Sequence, residues 1–380
     1  MEVSVSRQQL IKGIGRAHAI ASRKSPVPIL GHLRLSANPD GQLLFEATDL
    51  QVSVTSAAFG KVNVPGAVTV PAKFLFDVAK GLPDLDVLIT SGPKQNVEIK
   101  AGKSRYRILG SSPEDFPQVP TPSGKNSKCA QVPCNILKKL IQMTYYSMST
   151  DETRPHLSSA LMQVQDNSIR MVTTDGHRLS KAQFSLDRGL DSFSALIPSR
   201  AVLELKRALD EKAIEDDESH HQNHDLVEII SESNFIFFKT QDLILSAKIS
   251  AEIEFPPYER VIPKNQEKTI KINREAIASE LKRLASSIGS TTGVKLRLEP
   301  GLLRIHGENP QTGEGTEEID CDYSKTDILD IGFNPKYLID AFNAVDSGDV
   351  IVEFSGELDP ASIRIPETDE FIAVIMPMRI

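Results

Sequence analysis

The chain has 380 residues, of which 40% are hydrophobic and 25% are charged, and its formal net charge at pH 7 is -8. This length and composition predict two or three ordinary globular domains. The acidic balance excludes a protein coated on all sides with basic surface, so any contact with DNA must come from a segregated basic face.

The start of the chain, MEVSVSRQQLIKG, lacks the basic and apolar regions of a signal peptide, and no run of about 18 uncharged apolar residues follows. Cys129, Cys134 and Cys321 are odd in number and lack the CxxC spacing of zinc and redox sites. We therefore expect a protein of the reducing cytoplasm that is neither exported nor anchored and needs no metal or cofactor.

The predicted elements repeat three times along the chain. A helix in VSRQQLIKGIGRAHAI is followed by strand-like runs that include FEATDLQVSV and then by a short helix in VPAKFLFDVAKGLP. The second set is VPCNILKKLIQMTYYS, RMVTTDGHRLS and IPSRAVLELKRALD, and the third includes INREAIASELKRLASSI and FNPKYLIDAFNAVD. Such a repeat predicts three similar domains.

Matching positions in the repeats carry the same residue types. Thr48–Asp49 corresponds to Thr174–Asp175. The second helix of each repeat has a base and an acid four residues apart, namely Lys73 and Asp77, Arg200 and Glu204, and Lys336 and Asp340. Because each repeat has many strands and only two short helices, we predict an α+β fold with antiparallel sheets rather than a doubly wound α/β sheet.

The clearest first helix is that of the third repeat, where one apolar stripe is formed by Ile277, Leu281, Leu284 and Ile288. Proline and glycine in 111–128 and 255–268 predict domain boundaries, which gives domains 1–125, 126–263 and 264–380. The acidic stretch 210–225 contains His220, His221 and His224, which could catch a divalent metal adventitiously. We expect an exposed loop there and no metal site.

No catalytic motif of the types GxSxG, GxxxxGKS, GxGxxG or HExxH occurs in the sequence. Asp175 and His177 in TTDGHR could form a catalytic or metal-binding pair, so an enzyme centred on them is one alternative hypothesis. This pair supplies no third group. Since catalytic motifs are absent and the chain repeats itself, a binding or scaffold protein is favoured.

Basic residues recur on the first helix of each repeat. Lys12, Arg16 and Arg23 share one face of the first predicted helix. Further basic residues on the equivalent helices are Lys138, Lys139, Arg274, Lys282 and Arg283. Each face alone would pass for an ordinary solvated helix surface. Their repetition predicts a positive surface that contacts phosphates without reading bases.

Four segments, SSPEDFPQVP, MVTTDGHRLS, FPPYERVIP and VIMPMRI, are similar to signature segments of bacterial sliding clamps, the beta subunits of DNA polymerase III. The resemblance spans the whole chain. It implies three α+β clamp domains per subunit and a head-to-tail homodimer that closes into a ring, with helices inside and antiparallel sheets outside. Such a ring takes no part in catalysis and confers processivity by tethering the replicative polymerase to duplex DNA.

The partners implied by the resemblance are duplex DNA of any sequence, the replicative polymerase subunit, the subunits of an ATP-driven clamp loader, and other polymerases and repair proteins. The protein partners are expected to share a peptide pocket between the second and third domains. Its matching positions here are Leu157, Thr174, Gly176, His177, Arg178, Leu179, Pro256, Arg260, Val261, Asn334, Tyr337, Leu358, Met376, Pro377, Met378 and Arg379. Apolar and flexible methionine side chains suit an adaptable groove. Without the resemblance, VIMPMRI would be interpreted as a strand packed in the core.

The resemblance also implies DNA contacts at Lys24, Arg154 and Arg200, with Arg23 as a plausible neighbour. For the dimer interface, Tyr106 and Ile108 of SRYRIL are expected to meet Leu284 and Ile288 of the partner subunit's third domain. Two segments depart from the family pattern: RPHL at 154–157 lacks an aromatic residue and GSTTG at 289–293 lacks a bulky side chain. A repeat scaffold that never encircles DNA is the remaining alternative.

Overall fold

A computed structural model describes the chain except for residues 22–24, 93–94, 125, 187–189, 220–225, 265, 290–291 and 347, and except for the side chains of 211–219. The chain divides into two compact units. Unit 1 comprises Met1–Cys134 and Arg200–Ala251, and unit 2 comprises Asn135–Ser199 and Glu252–Ile380. The helices are α1 (Arg7–Ile20), α2 (Ala72–Gly81), α3 (Cys134–Thr144), α4 (Ser199–Ser219), α5 (Arg274–Ile288) and α6 (Pro335–Asn343).

Unit 1 contains two antiparallel sheets. Its strands are β1 (Glu2–Ser6), β2 (His32–Ala37), β3 (Gln42–Thr48), β4 (Val52–Phe59), β5 (Lys61–Val64), β6 (Gly66–Pro71), β7 (Asp86–Ser91), β8 (Asn96–Ala101), β9 (Ser104–Leu109), β10 (Lys128–Pro133), β15 (Leu226–Ser231), β16 (Phe235–Lys239) and β17 (Leu243–Lys248). The strand orders are β5-β1-β7-β8-β9 and β10-β15-β16-β17-β4-β3-β2-β6. The strand β9 therefore lies at the edge of its sheet.

Unit 2 also contains two antiparallel sheets. Its strands are β11 (Ser159–Gln165), β12 (Ser168–Thr174), β13 (Arg178–Ser185), β14 (Phe193–Pro198), β18 (Lys268–Asn273), β19 (Val294–Glu299), β20 (Leu302–Asn309), β21 (Gly313–Asp320), β22 (Leu329–Phe333), β23 (Asp349–Phe354), β24 (Ala361–Arg364) and β25 (Phe371–Ile375). The orders are β14-β11-β12-β13-β25-β24-β23-β18 and β21-β20-β19-β22. Both β21 and β22 are edge strands.

The three repeats are distributed over the two units because the strands of the central repeat extend the sheets of its neighbours. In unit 1, β17 pairs with β4 through Leu245 and Val54. In unit 2, β13 pairs with β25 through Ser180 and Ala373. The described pairings between strands are antiparallel, which confirms the α+β fold predicted from the alternation of strands with few helices.

Helix α5 begins within the predicted segment and buries the predicted apolar face. Asn273 caps α5 because its side-chain oxygen accepts hydrogen bonds from the backbone N–H groups of Glu275 and Ala276, both at 3.1 Å. The apolar stripe of α5 is buried along its whole length, at Ile277, Leu281, Leu284 and Ile288. The predicted stripe is therefore confirmed as the core face of this helix.

The expected loop at 210–225 is wrong for its first part, because α4 continues through residue 219. Alanine, glutamate and lysine are strong helix formers, and Lys206 pairs with Asp210 one turn later at 2.9 Å, which supports the helix. The three histidines at 220, 221 and 224 lie outside the described residues. Among the helices described, none combines the length and apolar character needed to cross a membrane.

A partly buried ion-pair cluster joins α1 to the turn before β17 in unit 1. The Oδ2 atom of Asp242 lies 2.9 Å from Lys12 Nζ and 3.0 Å from Arg16 Nη1. Burial alone would raise the pKa of Asp242, but Arg16 and Lys12 outweigh it and lower that pKa from 3.8 to about 2. The carboxylate therefore stabilises the folded protein in its charged form.

We predict that this contribution is lost in acid. Because the folded pKa lies below the unfolded value, the stabilisation is fully present above about pH 4 and disappears as the pH falls toward 2. Asp242→Asn should lower the free energy of unfolding by about 2 kcal/mol at pH 7, and the difference from the unmutated chain should shrink toward pH 2. Denaturant unfolding across this pH range measures it, with the exposed Asp84→Asn as control; a difference independent of pH contradicts the assignment.

Candidate functional site

A tight turn at the start of β13, in unit 2, forms one side of the candidate site. Asp175 Oδ1 accepts hydrogen bonds from the backbone N–H groups of His177 at 2.9 Å and Arg178 at 3.0 Å. Thr174 Oγ1 donates to Arg178 O at 2.7 Å and accepts from the N–H of Gly176 at 3.1 Å. Gly176 has a φ of 91°, which glycine adopts without strain. Asp175 is thus a structural residue of this turn rather than half of a catalytic pair.

The corresponding turn in unit 1 has the same hydrogen bonds. Asp49 Oδ1 accepts from the backbone N–H groups of Gln51 and Val52, and Thr48 Oγ1 accepts from that of Leu50. The sequence alignment of the two Thr-Asp pairs is therefore confirmed. The two turns differ in their side chains, because Leu50, Gln51 and Val52 occupy the positions of Gly176, His177 and Arg178 in the second turn.

Arg178 holds three elements of the site together. Its guanidinium donates through Nε to Asp175 at 3.0 Å, through Nη1 to Asp340 of α6 at 2.7 Å, and through Nη2 to the carbonyl of Tyr146 at 2.6 Å. The same group lies 5.3 Å from the ring centroid of Tyr146 and 4.4 Å from that of Tyr337. Only 9% of Arg178 is exposed, so its charge is balanced by two carboxylates inside the protein.

Tyr146 lies beneath the turn. Its hydroxyl accepts a hydrogen bond from Ser180 Oγ at 2.6 Å, and Ser180 also bonds to Ser147 at 2.7 Å. Burial raises the pKa of Tyr146 to about 12, so the phenol stays neutral and keeps its proton at physiological pH. This network fixes the position of Tyr146, whose carbonyl accepts the hydrogen bond from Arg178.

An aromatic rim stands above Arg178. The rings of His177 and Tyr337 stack with centroids 6.4 Å apart at an interplanar angle of 20°. Asn334 caps α6 by accepting a hydrogen bond from the backbone N–H of Lys336 at 2.9 Å, which orients the first turn that carries Tyr337. Burial, followed by the charge of Asp175, raises the pKa of Tyr337. Tyr337 is therefore neutral at physiological pH, and its ring gives the rim apolar surface.

An apolar cluster supports the other side of the site. Leu179 packs there with Tyr258, and the cluster also includes Leu161, Val172, Ile372 and Val374. The Tyr258 hydroxyl accepts a hydrogen bond from Arg170 Nη1 at 3.0 Å. Phe255 and Ile262 pack against the same cluster. These contacts fix the connecting segment whose exposed positions include Arg260 and Val261, with Pro256 half-buried.

Residues 376–380 lie beside the turn. The backbone N–H of Met376 donates to His177 O and that of Met378 donates to Gly332 O, both at 2.9 Å. Met376 is 39% and Met378 is 38% exposed. The alternative interpretation of VIMPMRI as a core strand holds only for its first two residues, Val374 and Ile375, which end the buried strand β25.

The remaining residues of the predicted pocket are less closely tied to it. These residues are Leu157, Leu358, Pro377 and Arg379. Leu157 is buried and Leu358 is 68% exposed, whereas Pro377 and Arg379 lie next to the two methionines in the chain. No side-chain hydrogen bond or ion pair among the described residues joins these four to the rest of the set. They stay predictions.

The predicted DNA contacts are placed only in part. Arg23 and Lys24 lie outside the described residues. Arg154 is exposed and its Nε lies 2.9 Å from Asp151. Arg200, at the start of α4, is 44% exposed, with Nη1 2.7 Å from Asp49 and Nη2 donating to Ile20 O. Both described arginines therefore already have a carboxylate partner.

The predicted interface residues need a correction. Tyr106 is 40% exposed, but Ile108, Leu284 and Ile288 are at most 3% exposed within their own chain. A methyl group on Gly315 would come within 2.7 Å of Leu284, which shows how closely α5 packs on β21. The apolar faces of β9 and α5 cover their own cores, so those three side chains are not available to a second subunit as they stand.

Several residues of the site were not predicted from sequence, namely Tyr146, Tyr258, Gly332 and Asp340. Asp340 gave a signal from the repeat, because it is the acid of the repeated base–acid pair on the second helix of the third repeat. The other three act through contacts between residues far apart in the chain, such as the hydrogen bond between Arg170 and Tyr258, which are 88 positions apart.

Comparisons with known proteins agree along the whole chain. Residues 1–120, 131–256 and 259–379 match family models described as the N-terminal, central and C-terminal domains of the DNA polymerase III beta subunit. Proteins called beta sliding clamp from Pseudomonas aeruginosa and Caulobacter vibrioides are 31% and 30% identical, with complete coverage of both chains.

Solved structures give the same result. A Pseudomonas aeruginosa DnaN sliding clamp bound to griselimycin superposes with a TM-score of 0.90 at 28% identity and covers both chains completely. A Bacillus subtilis DNA polymerase sliding clamp superposes with a TM-score of 0.90 at 25% identity, covering 100% of this chain and 99% of that one.

Proposed function

We propose how this molecule works from one premise: the chain belongs to the DNA polymerase III beta subunit family, the bacterial sliding clamps. It is a DNA sliding clamp and not an enzyme; it encircles duplex DNA and tethers the replicative polymerase. Its partners are DNA, polymerase, clamp loader and other clamp-binding proteins, and it acts as a homodimer. The observation that carries this is the match of three clamp-domain models, in order, over the whole chain.

The proposed peptide pocket comprises the turn at 174–178, the aromatic rim and residues 376–380. Support comes from its chemistry. Exposed methionines and the half-exposed Tyr337 give apolar surface that adapts to different side chains, while the ion pairs of Arg178 keep the turn and α6 in fixed positions. Different partners can therefore take turns in one pocket, each binding through a short extended peptide.

A ring binds DNA by topology, so its contacts with phosphate can be weak and independent of sequence. We retain Arg154 and Arg200 as contacts of this kind. Their aspartate partners lower the local positive charge, which favours sliding over tight binding. Lys24 and its neighbour Arg23 complete the proposed set of DNA contacts. The proposed compartment of the protein is the cytoplasm. Domains 1–125, 126–263 and 264–380 are the proposed units of the ring.

For the head-to-tail interface we propose pairing between the edge strands β9 and β21 of two subunits. Edge strands present unpaired backbone groups to a second chain. Their charges are complementary: β9 exposes Arg105 and Arg107 beside Tyr106, whereas β21 exposes Glu314, Glu318 and Asp320. Opposite charges on two edges of one chain favour contact between unlike edges, which is the arrangement that closes a ring.

A competition experiment tests the shared pocket. Labelled peptides from the clamp-contacting segments of the cognate polymerase and clamp-loader subunits should displace each other from the full-length protein. Tyr337→Ala should weaken both by about tenfold, because an aromatic anchor in a pocket carries much of the binding energy. Phe59→Ala, at an exposed aromatic residue of unit 1, is the control. Simultaneous binding of the two peptides would contradict a single pocket.

A further inference from the structure

Residues 376–380 hold their position through few contacts. Two backbone hydrogen bonds, from Met376 to His177 and from Met378 to Gly332, fix the first half of this segment. Beyond Met378 the side chain of Ile380 is 71% exposed, yet it lies against two glycines. The contacts that hold residues 376–380 therefore determine the positions of Met376 and Met378.

The two glycines lie on neighbouring strands of one sheet. Gly332 is in the edge strand β22, opposite Lys295 of β19, and Gly293 immediately precedes β19. A methyl group on Gly293 would lie 2.9 Å from Cδ1 of Ile380 and 3.0 Å from Sδ of Met378. A methyl group on Gly332 would lie 2.7 Å from Ile380 and would collide with the carbonyl oxygen of Met378. Together the missing side chains form a recess that fits this segment.

Backbone conformation does not require glycine at either position. Neither residue is among those with a positive φ, and both lie in or next to regular strands. Glycine inside a strand weakens it and often marks the close approach of another backbone. Here the backbone that approaches closely is that of residues 378–380.

We propose that Gly293 and Gly332 are positioning residues of the partner-peptide pocket, because their recess seats Met378 and Ile380 and so fixes the two methionines as one wall of the pocket. This inference rests on the pocket proposed above. It predicts an order of effects. At Gly332 the added methyl group would collide with the carbonyl oxygen of Met378, whose backbone N–H donates to Gly332 O, so the whole segment must move away. At Gly293 the added methyl group would meet only the ends of flexible side chains.

The test uses the full-length protein and a fluorescein-labelled peptide from the clamp-contacting segment of the cognate polymerase subunit, with binding followed by anisotropy. Gly332→Ala should weaken binding by about tenfold and Gly293→Ala by about threefold, since overpacking displaces the wall. Gly81→Ala is the control, because a methyl group there meets nothing within 4 Å. Thermal unfolding should change little in all three variants, which separates positioning from a loss of fold.

A double-mutant cycle makes the test specific. Ile380→Ala removes two of the three nearest atoms that a methyl group on Gly293 would meet and leaves Sδ of Met378, so Gly293→Ala should weaken binding much less in that background. Additive effects of the two substitutions, or unchanged peptide binding by Gly332→Ala, would overturn the inference. Failure of the unmutated chain to bind the peptide would instead overturn the proposed pocket, so the two failures are distinguishable.

Discussion

Replacing Arg178 by alanine should weaken peptide binding by about a hundredfold and lower the free energy of unfolding by about 3 kcal/mol. The substitution leaves the carboxylates of Asp175 and Asp340 facing each other without the cation that both now contact. It also removes the guanidinium that contacts the rings of Tyr146 and Tyr337. Peptide titration and denaturant unfolding measure the two effects.

Two further variants define this result. Lys239→Ala removes a lysine whose side chain is 48% exposed and paired with Glu228, which is 36% exposed, and an exposed ion pair of this kind contributes little. It should leave both measurements nearly unchanged. Arg178→Lys keeps the charge but cannot reach two carboxylates and a carbonyl in a planar fork, so it should recover part of the stability and little of the binding. If Arg178→Ala binds peptide as the unmutated chain does, the turn does not depend on this side chain.

Reversing the charge of the β9 edge should open the ring. The double substitution Arg105→Glu and Arg107→Glu places acidic residues opposite the acidic edge of β21, and like charges across an interface cost several kcal/mol. We expect the dimer dissociation constant to rise by about a hundredfold at low ionic strength, with a smaller effect in high salt. Sedimentation velocity over a concentration series measures the constant.

Compensation on the other edge identifies the contact. Adding Glu314→Lys and Glu318→Lys to the same chain restores opposite charges, so the dimer should recover. Lys239→Glu with Lys248→Glu is the matched control, because these two exposed lysines lie at the ends of strands inside the sheet of unit 1. A dimer that resists the β9 reversal, or that is weakened equally by the control, would contradict pairing between β9 and β21.

The sequence predicted those features that depend on local pattern. The stripe from Ile277 to Ile288 is buried because helical periodicity alone determines which side of α5 is apolar. The matching turns at Asp49 and Asp175 follow from two residues in each repeat, since an aspartate accepts hydrogen bonds from nearby backbone N–H groups without help from distant elements.

The sequence failed where distant residues decide the outcome. The apolar residues Ile108, Leu284 and Ile288 were assigned to a subunit interface, but periodicity does not distinguish a side chain that meets a partner from one that covers its own core. The Arg178 network joins residues near 146, 175 and 340, and no local pattern reports it. The hydrogen bond from the N–H of Met378 to Gly332 O could not be predicted from sequence either, because the two residues are neighbours only after folding.

The most direct test of encirclement is retention on circular and linearised DNA after loading by the cognate clamp loader, in salt high enough to screen phosphate contacts. A closed ring is held by topology, so the protein should stay on circles and leave linear molecules through their ends. Equal loss from both forms would contradict encirclement and would favour a repeat scaffold that binds partners without enclosing DNA.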